Sequence, residues 1–68
     1  MRPVSGKRMC RILERNGWIC KRIKGSHHAY QKPGNPKTII VPVHANKELK
    51  PGTKQAIMKD AGLVESDL

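Results

Sequence analysis

Two adjacent histidines follow a glycine turn in the run Lys24-Gly25-Ser26-His27-His28, with Lys21, Arg22 and Lys32 close by in the chain. Imidazole has an unperturbed pKa of ~6.5, so one ring can take up a proton at neutral pH and return it in the same reaction. Among cations, such a ring suits a phosphodiester that carries its own nucleophile. RNA is that case: a base removes the ribose 2′-OH proton, the oxygen attacks the neighbouring phosphorus, and an acid protonates the departing 5′-oxygen. Nearby Lys and Arg offset the charge that builds on phosphorus. The same cations disfavour a free imidazolium and hold the ring neutral, ready to act as base. Successive strand residues face opposite ways, so His27 and His28 cannot both reach one phosphate on a regular strand. His28 shares its face with Tyr30, and His27 shares the other with Ala29. One histidine is then catalytic, and the other is structural or a substrate contact.

Plainer readings stand beside this one. Two adjacent histidines in a basic chain can be ordinary surface or half-buried residues. Metal binding would draw on His27, His28 and His44, but no Asp or Glu lies between residues 15 and 47. Adjacent strand histidines also diverge, and zinc wants three or four convergent ligands, so no metal is expected. Trp18 can stack on a base, although a lone Trp in a small domain more readily anchors the core. Tyr30 either holds a phosphate or closes the rim of the core. Lys50 and the amides around Gly52-Thr53 form either a phosphate site at a helix N-terminus or a plain cap with solvated lysines.

The elements that must position these groups follow from periodicity and punctuation. Ser5 is a good N-cap for a helix running to Asn16-Gly17, with Met9, Ile12 and Leu13 as its apolar stripe and Lys7, Arg8, Arg11 and Arg15 on its polar side. The bland reading of that basic side is solvation. Trp18 to Ile23 reads as a strand, Lys24-Gly25-Ser26 as a turn, and His27 to Lys32 as a second strand. Pro33-Gly34-Asn35-Pro36 connects to a third strand over Lys37 to Val43, where Pro42 marks an edge or an end. After a polar loop, Pro51 opens a second helix with Ala56, Ile57 and Ala61 as its stripe and Met58 beside it. Gly62 stops that helix, with Leu63 folding back on Met58. Residues 64–68 are expected to fray. The order α-β-β-β-α predicts an α+β, two-layer domain: a three-stranded antiparallel sheet with both helices on one face. Double-stranded-RNA-binding domains share that order.

Size and charge narrow the class of partner. The chain has 68 residues, with 14 Lys+Arg against 5 Asp+Glu, a formal net charge of +9. That length makes a single domain over 1–68, with its core in about 5–63, and leaves no room for an enclosed pocket of the kind that holds a nucleotide cofactor. No small-molecule cofactor is expected, and chemistry is expected on the open sheet face. The charge favours a polyanionic partner. The longest apolar run, Thr38 to Val43, is far short of the ~20 residues that a spanning helix needs. The first residues show no apolar run of a secretory signal and neither end a lipidation motif, so a cytoplasmic protein is expected. Cys10 and Cys20 read as reduced thiols.

Four motifs in order carry a family resemblance. Asn16-Gly17-Trp18 follows a short basic helix. Lys24-Gly25-Ser26-His27-His28 comes next, then Val41-Pro42-Val43-His44, then Leu49-Lys50-Pro51-Gly52-Thr53 opening a helix that ends Ala61-Gly62-Leu63. From about Gly6 to Leu63 the chain resembles the HicA toxin family. The resemblance implies a double-stranded-RNA-binding-domain-like fold, a ribosome-independent mRNA endonuclease activity and a larger HicB antitoxin as partner. The family's histidine lies in a Gly-Ser-x-His stretch, which places the catalytic role on His28, with His27 at the variable position as second choice. Lys24, Gly25, Ser26, Tyr30, Arg22 and Lys50 are the expected substrate-binding residues. The departures are an extra Arg2-Pro3 segment and a short C-terminal tail.

Overall fold

The computed structural model describes residues 3–68; Met1 and Arg2, at the N-terminal departure, lie outside them. The elements run α1 (Gly6–Arg15), β1 (Ile19–Lys24), β2 (His27–Lys32), β3 (Asn35–Pro42) and α2 (Pro51–Ala61), followed by a short 3-10 turn at Glu65–Asp67. The sheet order is β1-β2-β3, and both pairings are antiparallel. This is the α-β-β-β-α, α+β architecture that the periodicity predicts, and it is consistent with a double-stranded-RNA-binding-domain-like fold.

Local chemistry sets the boundaries. Ser5 caps α1 by accepting a hydrogen bond from the Arg8 amide at 3.1 Å, which satisfies one of the orphan donors of the first turn. Asn16 closes that helix, and Gly17 leaves it at φ +89°. The helix brings Met9, Cys10, Ile12 and Leu13 onto the sheet as its buried face. Gly6 is buried at the first turn because α1 crosses β3 closely there: a Cβ at Gly6 would run into the Pro42 carbonyl oxygen. At the other end of the chain, the Leu63 amide donates to the Met58 carbonyl at 2.8 Å and Gly62 sits at φ +69°. This is the left-handed helix end expected at Gly62.

Two strand boundaries and the buried face of one helix differ from the sequence expectation. β1 is shifted by one residue, to Ile19–Lys24, because Trp18 turns into the core at 2% exposure instead of pairing in the sheet. β3 begins at Asn35 because only Pro33 and Gly34 lie between Lys32 and its partner Asn35. Gly34, at φ +81°, takes the position of that turn that needs a positive φ. The buried side of α2 is Lys54, Ile57 and Met58 with Ala61 partly buried, while Ala56 is exposed. Lys54 is only 2% exposed. A lysine stem can pack like an apolar chain, so the helix turns by one residue from the stripe predicted through Ala56.

The core lies between helices and sheet. Val4, Met9, Ile12, Leu13, Trp18, Tyr30, Ile39, Val41, Leu49, Ile57, Met58 and Leu63 are buried in one cluster. Trp18 is thus the core anchor. Its indole Nε1 has no hydrogen-bond partner among the described residues. The N-terminal segment is tied down by the Leu49 amide, which donates to the Val4 carbonyl at 2.8 Å. Residues 64–68, expected to fray, form an ordered turn: the Val64 amide donates to Asp67 Oδ2, Lys54 Nζ lies 3.7 Å from Glu65 Oε2, and Leu68 packs on the core.

Candidate active site

Strand register decides which way each candidate residue faces. In β1 and β2, Cys20 stands opposite Tyr30, and Ile23 stands opposite His28; across β2 and β3, Tyr30 meets Ile39 and His28 meets Val41. Directly opposed residues share a face. Tyr30, Ile39 and Val41 are buried under the helices, so His28 is on the helix-covered side. His27 pairs with Lys24 and with Pro42 on the uncovered side. The two histidines diverge as strand alternation requires.

His28 is partly buried in a crevice of about 320 Å³ between α1 and the sheet. Lys7 and Arg11, one turn apart on α1, line it with Cys10, Glu14, Cys20, Ile23, Tyr30 and Val43. Lys7 and Arg11 are exposed, and Ile23 is 61% exposed on the β1 side. The turn before His28 is fixed on two sides. Gly25, at φ +59°, takes the first central position of the two-residue turn between Lys24 and His27, where a positive φ suits the twist of a hairpin. The Ser26 carbonyl accepts the Val43 amide at 2.7 Å, which ties the turn to the end of β3.

Tyr30 and Cys10, which also line the crevice, hold their protons. Tyr30 is 2% exposed, and its hydroxyl donates to Glu14 Oε2 at 2.7 Å. Burial, then the hydrogen bonds with Cys10 and Glu14, raises its ionisation far above the ordinary phenol range. Burial likewise pushes the Cys10 thiol up, so it is a poor nucleophile. Cys10 and Cys20 are both free thiols. Among the described residues, no group of three His, Cys, Asp or Glu is arranged to hold a metal ion.

The residues expected to share one site are divided among three places. Arg22 and Lys24 line a depression on the uncovered sheet face with His27. Lys50 lines a separate hollow before α2, with His44, Lys47 and Thr53. Tyr30 floors the His28 crevice as a buried residue of the core, its hydroxyl taken by Glu14. Gly25 and Ser26 contribute the turn. The expectation of chemistry on the open sheet face does not fit His28, because its cross-strand neighbours belong to the covered face. Lys7 and Arg11 belong to the helix face that the sequence pattern assigns to solvent, yet they line the crevice with His28. Their i, i+4 spacing on one side of α1 was visible, but its alignment with His28 depends on how the helix crosses the sheet.

The family comparison agrees with this arrangement of elements. The family model described as "HicA toxin of bacterial toxin-antitoxin" matches residues 6–63 of the 68-residue chain. The chain belongs to the HicA toxin family. It is therefore a toxin-family protein of the kind that is paired with a cognate antitoxin. Among curated proteins none is significantly similar to it. No helix of the described residues is long and apolar enough to cross a membrane.

Proposed function

We propose that this HicA-family chain is a metal-independent endoribonuclease acting on mRNA in the cytoplasm, with His28 as its catalytic base and a HicB-type antitoxin as its inhibitor. The observation that carries the reading is the crevice in which His28 lies beside two cations from another element, Lys7 and Arg11. An RNA strand laid along α1 presents a phosphate to those cations and its neighbouring 2′-OH to the imidazole. His28 removes the 2′-OH proton, the 2′-oxygen bonds to phosphorus, and the bond from phosphorus to the 5′-oxygen breaks. The proton held on His28 passes to the departing 5′-oxygen, directly or through water, leaving a 2′,3′-cyclic phosphate. Lys7 and Arg11 stabilise the charge on the pentacoordinate phosphorus, which a preformed cationic site does without reorganising. His27 and the Lys24-Gly25-Ser26 turn support the geometry of this strand end.

Induced expression and an in vitro cleavage assay in EDTA test the proposal together. His28→Ala is expected to abolish both growth arrest and RNA cleavage, while His27→Ala retains them. Persistent cleavage by His28→Ala, with loss in His27→Ala, would move the active group to the open face.

One observation favours a second reading, a non-catalytic double-stranded-RNA-binding module. His28 is the one imidazole of the crevice, and the Tyr30 and Cys10 protons beside it are tightly held. The proposed reaction must therefore run base and acid steps through a single ring. RNA binding without cleavage in the same assay would select the module.

A further inference from the structure

The uncovered face of the sheet is not used by the His28 crevice, and its composition is unusual. Its cross-strand rows are Ile19-Gln31-Thr38, Arg22-Ala29-Ile40 and Lys24-His27-Pro42. Ile19 and Ile40 are 46% and 48% exposed. Lys21, Arg22, Lys24 and His27 surround a depression of about 660 Å³ that includes Ala29 and Ile40. The cations owe this position to a bulge. The register shifts between Cys20 and Arg22, so Lys21 is the extra residue. Plain alternation from Cys20 would send Arg22 and Lys24 under the helices; the bulge turns both to the uncovered face.

We propose that this face is a docking surface for an acidic, amphipathic protein segment, whose apolar side chains cover Ile19, Ala29 and Ile40 while its carboxylates meet Lys21, Arg22 and Lys24. Charge complementarity gives the sign of the partner. The apolar centre separates a protein from a nucleic acid. Single-stranded nucleic acid binds open sheets by stacking bases on aromatic rings, and the chain's single Trp and single Tyr are both buried on the other side. A phosphate backbone would leave the two isoleucines uncovered, whereas an alternating acidic and apolar segment covers both kinds of group. The surface is distinct from the His28 crevice, and its assignment does not depend on RNA cleavage.

The test titrates the full chain with three probes and follows backbone amide shifts by NMR: a short peptide of alternating Glu and Leu, a matching peptide of alternating Glu and Ser, and a short single-stranded oligouridylate. The Glu-Leu peptide is expected to shift the amides of Ile19, Arg22, Ala29 and Ile40, and to bind about tenfold more tightly than the Glu-Ser peptide. Arg22→Glu and Ile40→Asp are each expected to weaken it about tenfold. Because Arg22 is exposed, its variant keeps the test valid where Ile40→Asp disturbs the sheet. The proposal is overturned if the Glu-Leu peptide does not bind or binds along α1, if the Glu-Ser peptide binds equally well, or if oligouridylate occupies the same face and displaces the peptide.

Discussion

The Tyr30 hydroxyl donates to Glu14 Oε2 at 2.7 Å, joining the middle strand to the last turn of α1 beside the His28 crevice. The phenol stays protonated in the folded protein because burial comes first and the Cys10 and Glu14 hydrogen bonds add to it. The unfolded chain ionises this group at its ordinary value of 10.0. Above that pH the unfolded state loses a proton that the native state keeps, so stability falls as pH rises. The slope from this group is about 1.4 kcal/mol per pH unit. Chemical denaturation across pH 9 to 11, values set about the ordinary phenol pKa, is expected to show this loss in the parent and a shallower slope in Tyr30→Phe. An equal slope in both proteins would place the alkaline sensitivity elsewhere.

Gly6 and Gly52 form a matched pair of opposite sign. A methyl group at Gly6 meets the Pro42 backbone, whereas Gly52, in the first turn of α2, has open space around its Cβ position. Gly6→Ala must push α1 from β3, and overpacking of this kind costs about 1–3 kcal/mol. Gly52→Ala gains helix propensity and is expected to be stabilising by up to about 1 kcal/mol. Thermal unfolding of both variants checks the pair, with the melting temperature falling for Gly6→Ala and rising for Gly52→Ala.

Much of this architecture can be read from residue types alone. Ser5, Gly17, Gly25, Pro33-Gly34 and Gly62 punctuate the chain where backbone geometry demands them, so the element order follows from local rules. The alternation that separates His27 from His28 is equally local. The grouping around His28 is not, because Lys7 and Arg11 meet it only through the crossing of α1 over the sheet. The bulge at Lys21 is also silent in the residue pattern. It moves Arg22 and Lys24 to the face opposite His28, which is why a site assembled from chain neighbours alone combined two faces. Lys54 evaded the apolar pattern because a buried lysine is counted as polar by type while its stem packs as hydrocarbon.

Lys54 and Lys59 test that last point. Both are lysines on α2, but Lys54 is 2% exposed and Lys59 is exposed. Truncating Lys54 removes a buried stem and its approach to Glu65. Lys54→Ala is expected to cost about 1–3 kcal/mol through lost packing, against less than about 0.5 kcal/mol for Lys59→Ala. Lys54→Met keeps the hydrocarbon and is expected to recover most of the loss in urea denaturation. A Met variant as unstable as the Ala variant would assign the effect to the ammonium group instead.

Lys7 and Arg11 give the sharpest test of the cleavage proposal beyond the histidine itself. Both are exposed on α1, so replacing them leaves the core intact. A cation that stabilises developing phosphorane charge is worth about 10- to 1000-fold in rate. Lys7→Ala and Arg11→Ala are each expected to lower kcat/KM for RNA by at least about tenfold with an unchanged melting temperature, and Lys59→Ala is expected to stay near the parent rate. Salt dependence separates binding from chemistry. A group that only attracts the backbone loses its influence as ionic strength rises. A residue that stabilises the transition state still lowers kcat at saturating RNA. Loss confined to KM would make Lys7 and Arg11 phosphate anchors, whereas loss of kcat puts them at the reacting phosphorus.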